Sequence, residues 1–583
     1  MNLINKVDFS KATHLEKYNL DALSSPLMKL LKIDEVNKIY KNNHHLNGID
    51  FIHSVLDELG IKIEIEENDL FNIPTEGSFI AIANHPFGGI DGLILLKIFA
   101  SVRPDFKAMA NFLLHRIKTL ENYIIPVNPF DNLSVNKSSL KGIKQTLDCL
   151  QNGIPVGLFP AGEVSSFQLQ SKSIMDREWR PMIGKLITKA QVPVIPVHFS
   201  GSNSPLFNFL GMLHPNLRTV KLPSELFNKK GTIIKMRIGK PISQKRISDF
   251  NSNDQLVRYL RARTYAIGSD IEVKKFFNNP FGHKLKIDTI EAETNSNLII
   301  TEINNLLNTE NHLFSHENYD LFAALSNKIP NTLNEIGRLR EITFREAGEG
   351  TNKTIDIDEF DLYYHHLFMW DREAKKIVGS YRIGKGNDIY RQYRKKGFYI
   401  NTLFKLNNEF VPYLKKSLEL GRSFITKDYQ QKHLSLFLLW KGILVFLDKN
   451  KGYRYLIGPV SISNKYSKTS KALMIEMIKQ NYFDQKLAEY VIPRVKFRYN
   501  PMVMDTEILL NKGKDALKNA EELISEIEPL SYKIPVLLKK YLKQNAKIIG
   551  FNTDPKFSNS LDGFVMMDFE KIPLETLNML EKK

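Results

Sequence analysis

The segment NHPFGGID, residues 84–91, separates a histidine from an aspartate by a short glycine-containing turn: His85 comes first and Asp91 last. Gly88 and Gly89 between them let the chain bend, so the two side chains can meet. A hydroxyl that attacks an activated carbonyl must shed its proton, and a neutral imidazole takes that proton near neutral pH. A carboxylate on the other ring nitrogen fixes the tautomer and stabilises the imidazolium, so no nucleophile from the protein is needed. The same residues also have a purely architectural use, with His85 capping the next helix and Asp91 meeting the helix dipole in its first turn.

A second set lies downstream. Arg340 and Phe344 are four apart on a predicted helix and share a face. Asp358 and Asp361 crowd a turn, Arg382 ends VGSYR, and Glu419 and Arg422 stand three apart in ELGR. Taken singly, an i,i+3 Glu–Arg pair is an ordinary surface ion pair and Asp-rich turns are common.

The elements that must position these groups follow from patterning. SFIAIAN (78–84) reads as a strand, HPFGGID as a turn, and GLILLKIFASV as a helix. VGLFP running into AGEVSS, and VPVIPVHFSG (192–201), repeat the grammar of an apolar strand ending in small polar residues. Strands alternating with helices give an α/β class, with functional groups at strand ends. Residues 242–320 are rich in Asn, Lys and Ser and lack an extended strand-like run before the helical NLIITEINNLL, so the boundary is placed near residue 290, dividing 1–290 from 291–583. Beyond it, NEIGRLREITFREAG reads as a helix. HHLFMWD and KKIVGSYRIGKG form a predicted hairpin turning at Asp371 to Lys375, and the C-terminal stretch offers one helix and two strands.

With 583 residues, two or three domains are expected. The formal charge of +17 favours an anionic partner: nucleic acid, an anionic bilayer or an acidic carrier protein. No zinc finger, RNA-binding motif or dense basic arm is present, which argues against nucleic acid. The lone cysteine, Cys149, rules out an intramolecular disulfide or a thiolate zinc cluster; no metal is expected, and a reducing cytoplasm fits. The first twenty residues lack a basic stretch followed by an apolar run, so no secretory signal is expected. Leu434 to Leu447, interrupted by Lys441, is too short to span a bilayer. The expectation is peripheral association with the inner face of the cytoplasmic membrane, through basic residues and amphipathic segments such as Leu20 to Leu31.

NHPFGGID, LFPAGEVSS (158–166) and VPVIPVHFSG, in this order over about residues 70–245, resemble the glycerolipid O-acyltransferases, whose first block is NH-x4-D. Here the spacing is one residue longer, which Gly88 and Gly89 can absorb. The family's FPEGTRS places a glutamate and an arginine near a phosphorylated acceptor; Ala161 and Val164 stand there instead, so the resemblance implies an acceptor without glycerol phosphate. It leaves Glu163 and Ser165 as polar contacts, with Arg180 and Lys185 serving substrate, membrane or solvent alone.

REITF, DEFD, GSYR and ELGR, in order over about residues 315–580, resemble the N-acyltransferases of lyso-ornithine lipid synthesis and the acyl-homoserine-lactone synthases. The resemblance implies a GNAT-like fold whose splayed central strands bind a phosphopantetheine arm. An amine must lose a proton before attacking a thioester, so Asp358, Asp361 and Glu419 would bind the ammonium and relay its proton. Arg340, Arg382 or Arg422 would pair with a carboxylate or organise those acids. Together the resemblances imply a bifunctional aminolipid synthase with no bound cofactor and with acyl carrier protein thioester as co-substrate. One half would N-acylate an amino acid, ornithine in the first instance or glycine, with a 3-hydroxyacyl group; the other would esterify the lyso-lipid's hydroxyl. Two rivals are a lysophospholipid O-acyltransferase fused to a homoserine-lactone-type synthase, and an inactive basic membrane-binding scaffold. Lipid would enter over LFNFLGMLH (206–214), unless that stretch is buried core.

Overall fold

The structure is a computed structural model, and it describes residues 3–4, 6–7, 10, 24–111, 117–127, 137–213, 215–268, 288–499, 505–510, 516–528 and 532–573. Two compact units are present. The first takes Met1–Phe276 with Asn500–Lys512 and Glu522–Tyr532, and the second takes Phe277–Tyr499 with Gly513–Glu521 and Lys533–Lys583. The division at 276/277 lies ahead of the expected boundary near residue 290. Two late stretches belong to the first unit, where Asp505 meets Arg258 at 2.5 Å and Glu526 meets the buried Arg263 at 2.5 Å.

In the first unit the described strands are β1 (Lys62–Ile65), β2 (Ile80–Ala83), β3 (Lys107–Asn111), β4 (Ile124–Val127), β5 (Val156–Leu158), β6 (Ser166–Gln168), β7 (Ser173–Met175), β8 (Val194–Ser200) and β9 (Ile233–Ile238). Seven of them form one sheet in the order β1-β9-β8-β2-β5-β3-β4; β6 and β7 form a separate hairpin. β2 runs parallel to both neighbours, β5 and β8, while β9 is antiparallel to β8. All four residues of β2 are buried, as its unbroken apolar run requires of a strand covered on both faces. Helix Gly89–Val102 follows and buries Ile94, Leu95 and Phe99 in the core, where Phe99 stacks on Phe106 at 4.8 Å. The α/β class expected from the sequence is the class observed.

In the second unit the described strands are β10 (His312–His316), β11 (Tyr319–Leu325), β12 (His365–Asp371), β13 (Lys376–Lys385), β14 (Phe404–Leu406), β15 (Ser417–Ile425), β16 (Tyr455–Ile462), β17 (Val491–Pro493), β18 (Lys547–Asp554) and β19 (Ser560–Asp568). The main sheet runs β10-β11-β12-β13-β15-β16-β19-β18. β12 and β13 form the expected hairpin, turning after Asp371. β15 and β16 are parallel but pair only over Ser417–Glu419 and Tyr455–Ile457, then separate. Just there Gly458 lets the strands approach, since a Cβ on it would lie 2.0 Å from the Leu420 carbonyl oxygen. Leu420, Trp440, Pro459 and Tyr541 line the resulting opening.

Helix His433–Lys449 carries the apolar run noted in the sequence and buries Leu438, Leu439, Ile443 and Leu447. No described helix is long and apolar enough to cross a membrane. Of the segment Leu20 to Leu31, residues 20–23 lie outside the described residues. In the remainder Met28 and Leu31 are buried against Ile33, so these apolar groups are occupied in packing.

Candidate active sites

β2 ends at Ala83, and Asn84 extends its edge toward β8: its amide donates to the Phe199 carbonyl at 2.9 Å and its oxygen accepts the Phe199 N–H at 2.7 Å. This lock delivers His85 to the carboxyl end of the central strand. Gly88, at φ +94°, reverses the chain in a region closed to most side chains, and helix Gly89–Val102 begins there. Asp91, fully buried in the helix's first turn, accepts through one oxygen from His85 Nδ1 at 2.9 Å, from the Phe87 N–H at 2.9 Å and from the Gly88 N–H at 3.0 Å. An ionised Asp91 can only accept, so Nδ1 carries the hydrogen and Nε2 keeps its lone pair. His85 stays partly exposed and stacks on Phe159, the residue after β5, at 4.1 Å. Asp91 holds the loop and the imidazole with one oxygen, and the helix is capped at Gly88 rather than at His85. The spacing longer by one residue is taken up by the turn at Gly88.

Glu163 forms an ion pair with Arg177 at 3.3 Å on the surface. Ser165 corrects the expectation of a substrate contact. It is 3% exposed, and its hydroxyl donates at 2.5 Å to Asp176, a residue the motif reading missed. The same Asp176 oxygen accepts the His85 N–H at 3.1 Å, and the Ser165 N–H donates to the His85 carbonyl at 2.8 Å, so the main chain of His85 is gripped on both sides. Trp179 Nε1 donates to the other Asp176 oxygen at 3.0 Å. Burial pushes the Asp176 carboxyl upward, against the hydrogen bonds from Ser165 and Trp179. Asp176→Asn keeps one acceptor oxygen but puts an amide donor against one or more of three donors, Ser165, the His85 N–H and Trp179, so we expect transfer at this site to fall about 10-fold or more in kcat with little change in KM, the mark of a displaced base. A change confined to KM in steady-state assays would contradict this positioning role. Arg180 lies beside Gly162 at the start of helix Pro181–Ala190, and Lys185 is exposed on that helix. Lys229, also missed, sits 4.8 Å over the Phe87 ring and donates to the Ser202 carbonyl at 2.6 Å; burial lowers its ammonium pKa, which the charges of Glu225 and Asp91 oppose.

In the second unit the expected residues converge. Helix Pro330–Ala347 supplies Arg340, fully buried, which donates to Asp361 at 2.8 Å. The other Asp361 oxygen accepts the Asp358 N–H at 2.8 Å and lies 3.2 Å from Arg382. Burial opposes the charge of Asp361, yet Arg340 and Arg382 hold its carboxyl well below the usual range. The β13–β15 register shifts between Ser380 and Arg382, a bulge that re-aims the arginine. Arg382 donates to Asp358 at 2.5 Å while lying 5.2–5.6 Å from the rings of Phe360, Tyr364 and Tyr399. Phe344 packs edge-on against Phe557 at 5.2 Å in the core.

Three expectations are corrected by burial. Phe344 is core, and Asp361, 1% exposed on its side chain, organises arginines rather than meeting an ammonium. Glu419 does not pair with Arg422: its oxygens accept from the Tyr364 hydroxyl, from Ile400 N–H at 2.6 Å and from Tyr399 N–H at 3.2 Å. Burial pushes it up to about 7 against those bonds. Glu419 thus holds the main chain at Tyr399 and Ile400, and the Tyr399 hydroxyl accepts from Arg422 at 3.1 Å. Arg422, at φ +49°, lies 3.0 Å from Asp356 and 3.7 Å from Asp358. The missed members are Asp356, Tyr399, His366 and Glu349. Burial pushes Glu349 up to about 7, with the charge of Arg422 opposing. Asp358 and Glu349 are the carboxyls of this group that keep exposed surface.

A family described as Acyltransferase matches residues 3–273, and one described as Acetyltransferase (GNAT) domain matches residues 339–441. The chain is 30% identical over 253 residues to the glycine N(alpha)-acyltransferase of Bacteroides thetaiotaomicron, covering 40% of this chain and 72% of that protein. It is 26% identical over 271 residues to the lyso-glycine lipid O-acyltransferase of the same organism, covering 45% of this chain and 96% of that one. Among solved structures, the 1-acyl-sn-glycerophosphate (LPA) acyltransferase of Thermotoga maritima aligns with 44% of this chain and 93% of its own, at 16% identity and a TM-score of 0.25. The chain therefore belongs to the family of the glycine N(alpha)-acyltransferases, and it is an enzyme of acyl transfer that joins an N-terminal acyltransferase domain to a C-terminal GNAT domain, the organisation of a bifunctional aminolipid synthase.

Proposed function

We propose that the second unit N-acylates an amino acid with a 3-hydroxyacyl thioester and the first esterifies the new hydroxyl with a second acyl group. The observation that carries the reading is the His85–Asp91 pair at 2.9 Å, an oriented base with its Nε2 lone pair free to take a proton from an alcohol. As the alcohol oxygen attacks the thioester carbonyl, its proton passes to Nε2. Collapse of the tetrahedral adduct expels the thiolate, which takes the proton back from the imidazolium. In the second unit the amine attacks a thioester laid along the opening between β15 and β16, a carboxylate with exposed surface, Asp358 or Glu349, accepts its proton, and collapse of the adduct breaks the carbon–sulfur bond and releases the thiolate, which is protonated to the thiol.

Glycine is the preferred amino acid in this reading, because both relatives quoted above carry it in their names. Ornithine, suggested by the motif order, is the competing amine. The donor is proposed to be acyl carrier protein thioester, for which the net charge of +17 suits an acidic carrier. Work on a single-chain amphiphile also favours a location at the inner face of the cytoplasmic membrane. The test supplies the purified chain with 3-hydroxyacyl carrier protein, an ordinary acyl carrier protein thioester, and equal glycine and ornithine, and follows products by mass spectrometry. The expected products are N-acyl glycine and then its O-acyl ester. Predominant ornithine products would reassign the amine. Acylation of lysophosphatidic acid, with no aminolipid formed, would overturn the reading in favour of a phospholipid enzyme.

A further inference from the structure

Exposed apolar side chains lie on a hairpin and a helix next to the first site. Ser165, whose N–H holds the His85 carbonyl, leads directly into β6, and β6 pairs with β7 so that Phe167 faces Ile174. At the tip of this hairpin Leu169 is 76% exposed, and Ile174 beside it is 37% exposed. Helix Pro205–Leu213 packs against β6. Its inward residue Phe207 is 1% exposed, whereas Leu206 and Phe209 are 55% and 53% exposed. Over residues 206–211 the stretch divides between both readings given for it, one face core and one face bare, while His214 lies outside the described residues. Bare leucines and a phenylalanine gathered from a hairpin and a neighbouring helix form a patch that water disfavours.

Cations border it. Lys172 stands at the hairpin tip, and Arg177 follows β7 with half its side chain exposed. Between residues 163 and 189 the chain carries five cations, Lys172, Arg177, Arg180, Lys185 and Lys189, against Glu163, Glu178 and the buried Asp176. Apolar groups that enter the acyl boundary, with cations beside them at headgroup level, are the composition by which a protein lies on an anionic leaflet.

We propose that the β6–β7 hairpin and the exposed face of helix Pro205–Leu213 dock the first unit onto an anionic lipid surface, placing the His85 site at the leaflet. The inference rests on the lipid-acceptor reading above and adds the face by which the acceptor is met. Leu169, Ile174, Leu206 and Phe209 insert among the acyl chains, and Lys172 and Arg177 meet lipid phosphates. A lyso-lipid then reaches His85 by lateral movement rather than by leaving the membrane.

The test uses the full chain, sedimented with vesicles of phosphatidylcholine alone or with about one-third phosphatidylglycerol. The wild type is expected to bind the anionic vesicles at least about 10-fold more tightly, with the preference shrinking at high salt. Leu169→Glu with Phe209→Glu is expected to lose that binding by about 10-fold or more while still acylating a lyso-lipid dispersed in detergent, which shows that the fold is retained. Phe71→Glu is the control: Phe71 is 86% exposed but follows helix Glu67–Leu70, an element separate from the hairpin and helix of the patch, and its loss is expected to leave binding unchanged. Wild-type-like binding by the double variant, equal binding to both vesicles, or loss of binding on Phe71→Glu would each overturn the proposal. Vesicle binding without any acyl transfer would leave the surface standing and sink the functional reading. Acyl transfer in detergent without vesicle binding would do the reverse.

Discussion

His85→Ala is expected to slow ester formation by about 10²–10⁴-fold while N-acyl transfer continues, so that the single-chain N-acyl product accumulates. The size of the effect follows from the geometry. Asp91 fixes Nδ1 as the protonated nitrogen, leaving Nε2 as the only basic position the ring can present. Alanine leaves the acceptor alcohol to lose its proton to water, with no pre-placed base. The cost to folding is small, because the Asp91 oxygen that loses the imidazole still accepts two backbone N–H groups at the helix start. Asp91→Asn is expected to fail at a comparable level for another reason: the amide no longer compels the tautomer and no longer stabilises the imidazolium. Intact-lipid mass spectrometry of the wild type and both variants checks the prediction. Diacyl product at the wild-type level from His85→Ala would remove the imidazole from the chemistry.

The first site was legible in the sequence because its two chemical groups lie in one turn, and turn geometry is local. Glycines, an apolar strand before them and a helix after them suffice to predict that residues 85 and 91 meet. Asp176 was not legible. It stands 91 residues from His85 and reaches it only because the hairpin after Ser165 folds back under the central strand, a consequence of tertiary packing. In the second unit Arg340, Asp358, Asp361, Arg382 and Arg422 stand together, whereas Phe344 lies in the core and Glu419 turns to Tyr364 and the main chain. Carboxylates beside arginines in a sequence suggest substrate contact; in the fold Arg340 and Arg382 neutralise Asp361 in the interior, where an unpaired charge is too costly to keep. Glu419 and Arg422, three apart on a predicted surface, belong to a strand instead, so they turn to different partners. The membership of residues 500–512 and 522–532 in the first unit leaves no mark in local composition, since only long-range contacts decide it.

Arg340→Met is expected to destabilise the second unit by about 3–5 kcal/mol, because it strands a buried carboxylate rather than removing a pair. Asp361 would keep Arg382 at 3.2 Å and the Asp358 N–H at 2.8 Å but lose its 2.8 Å partner. His366 would lose a contact as well: its Nε2 donates to the Asp361 carbonyl at 2.9 Å, leaving Nδ1 to accept from Arg340 at 3.4 Å. Burial, then the charge of Arg340, lowers that imidazole to about 4, so it is neutral in the wild type. The sign with pH follows. Asp361 is depressed in the folded wild type, so its contribution is complete above the unfolded value near 4 and fades only in stronger acid. In the variant both the stranded carboxyl and the released imidazole bind protons more readily, so acidification relieves the defect. The gap to wild type should therefore be widest near pH 7 and narrow toward pH 4, while O-acyl transfer by the first unit persists. Denaturant unfolding followed by a probe confined to the second unit measures this, because a two-unit chain need not unfold in one step. Adding Asp361→Asn should restore part of the loss by removing the stranded charge. A gap below about 1 kcal/mol, or a double variant less stable than Arg340→Met alone, would mean that the arginine is not the counter-charge on which this core depends.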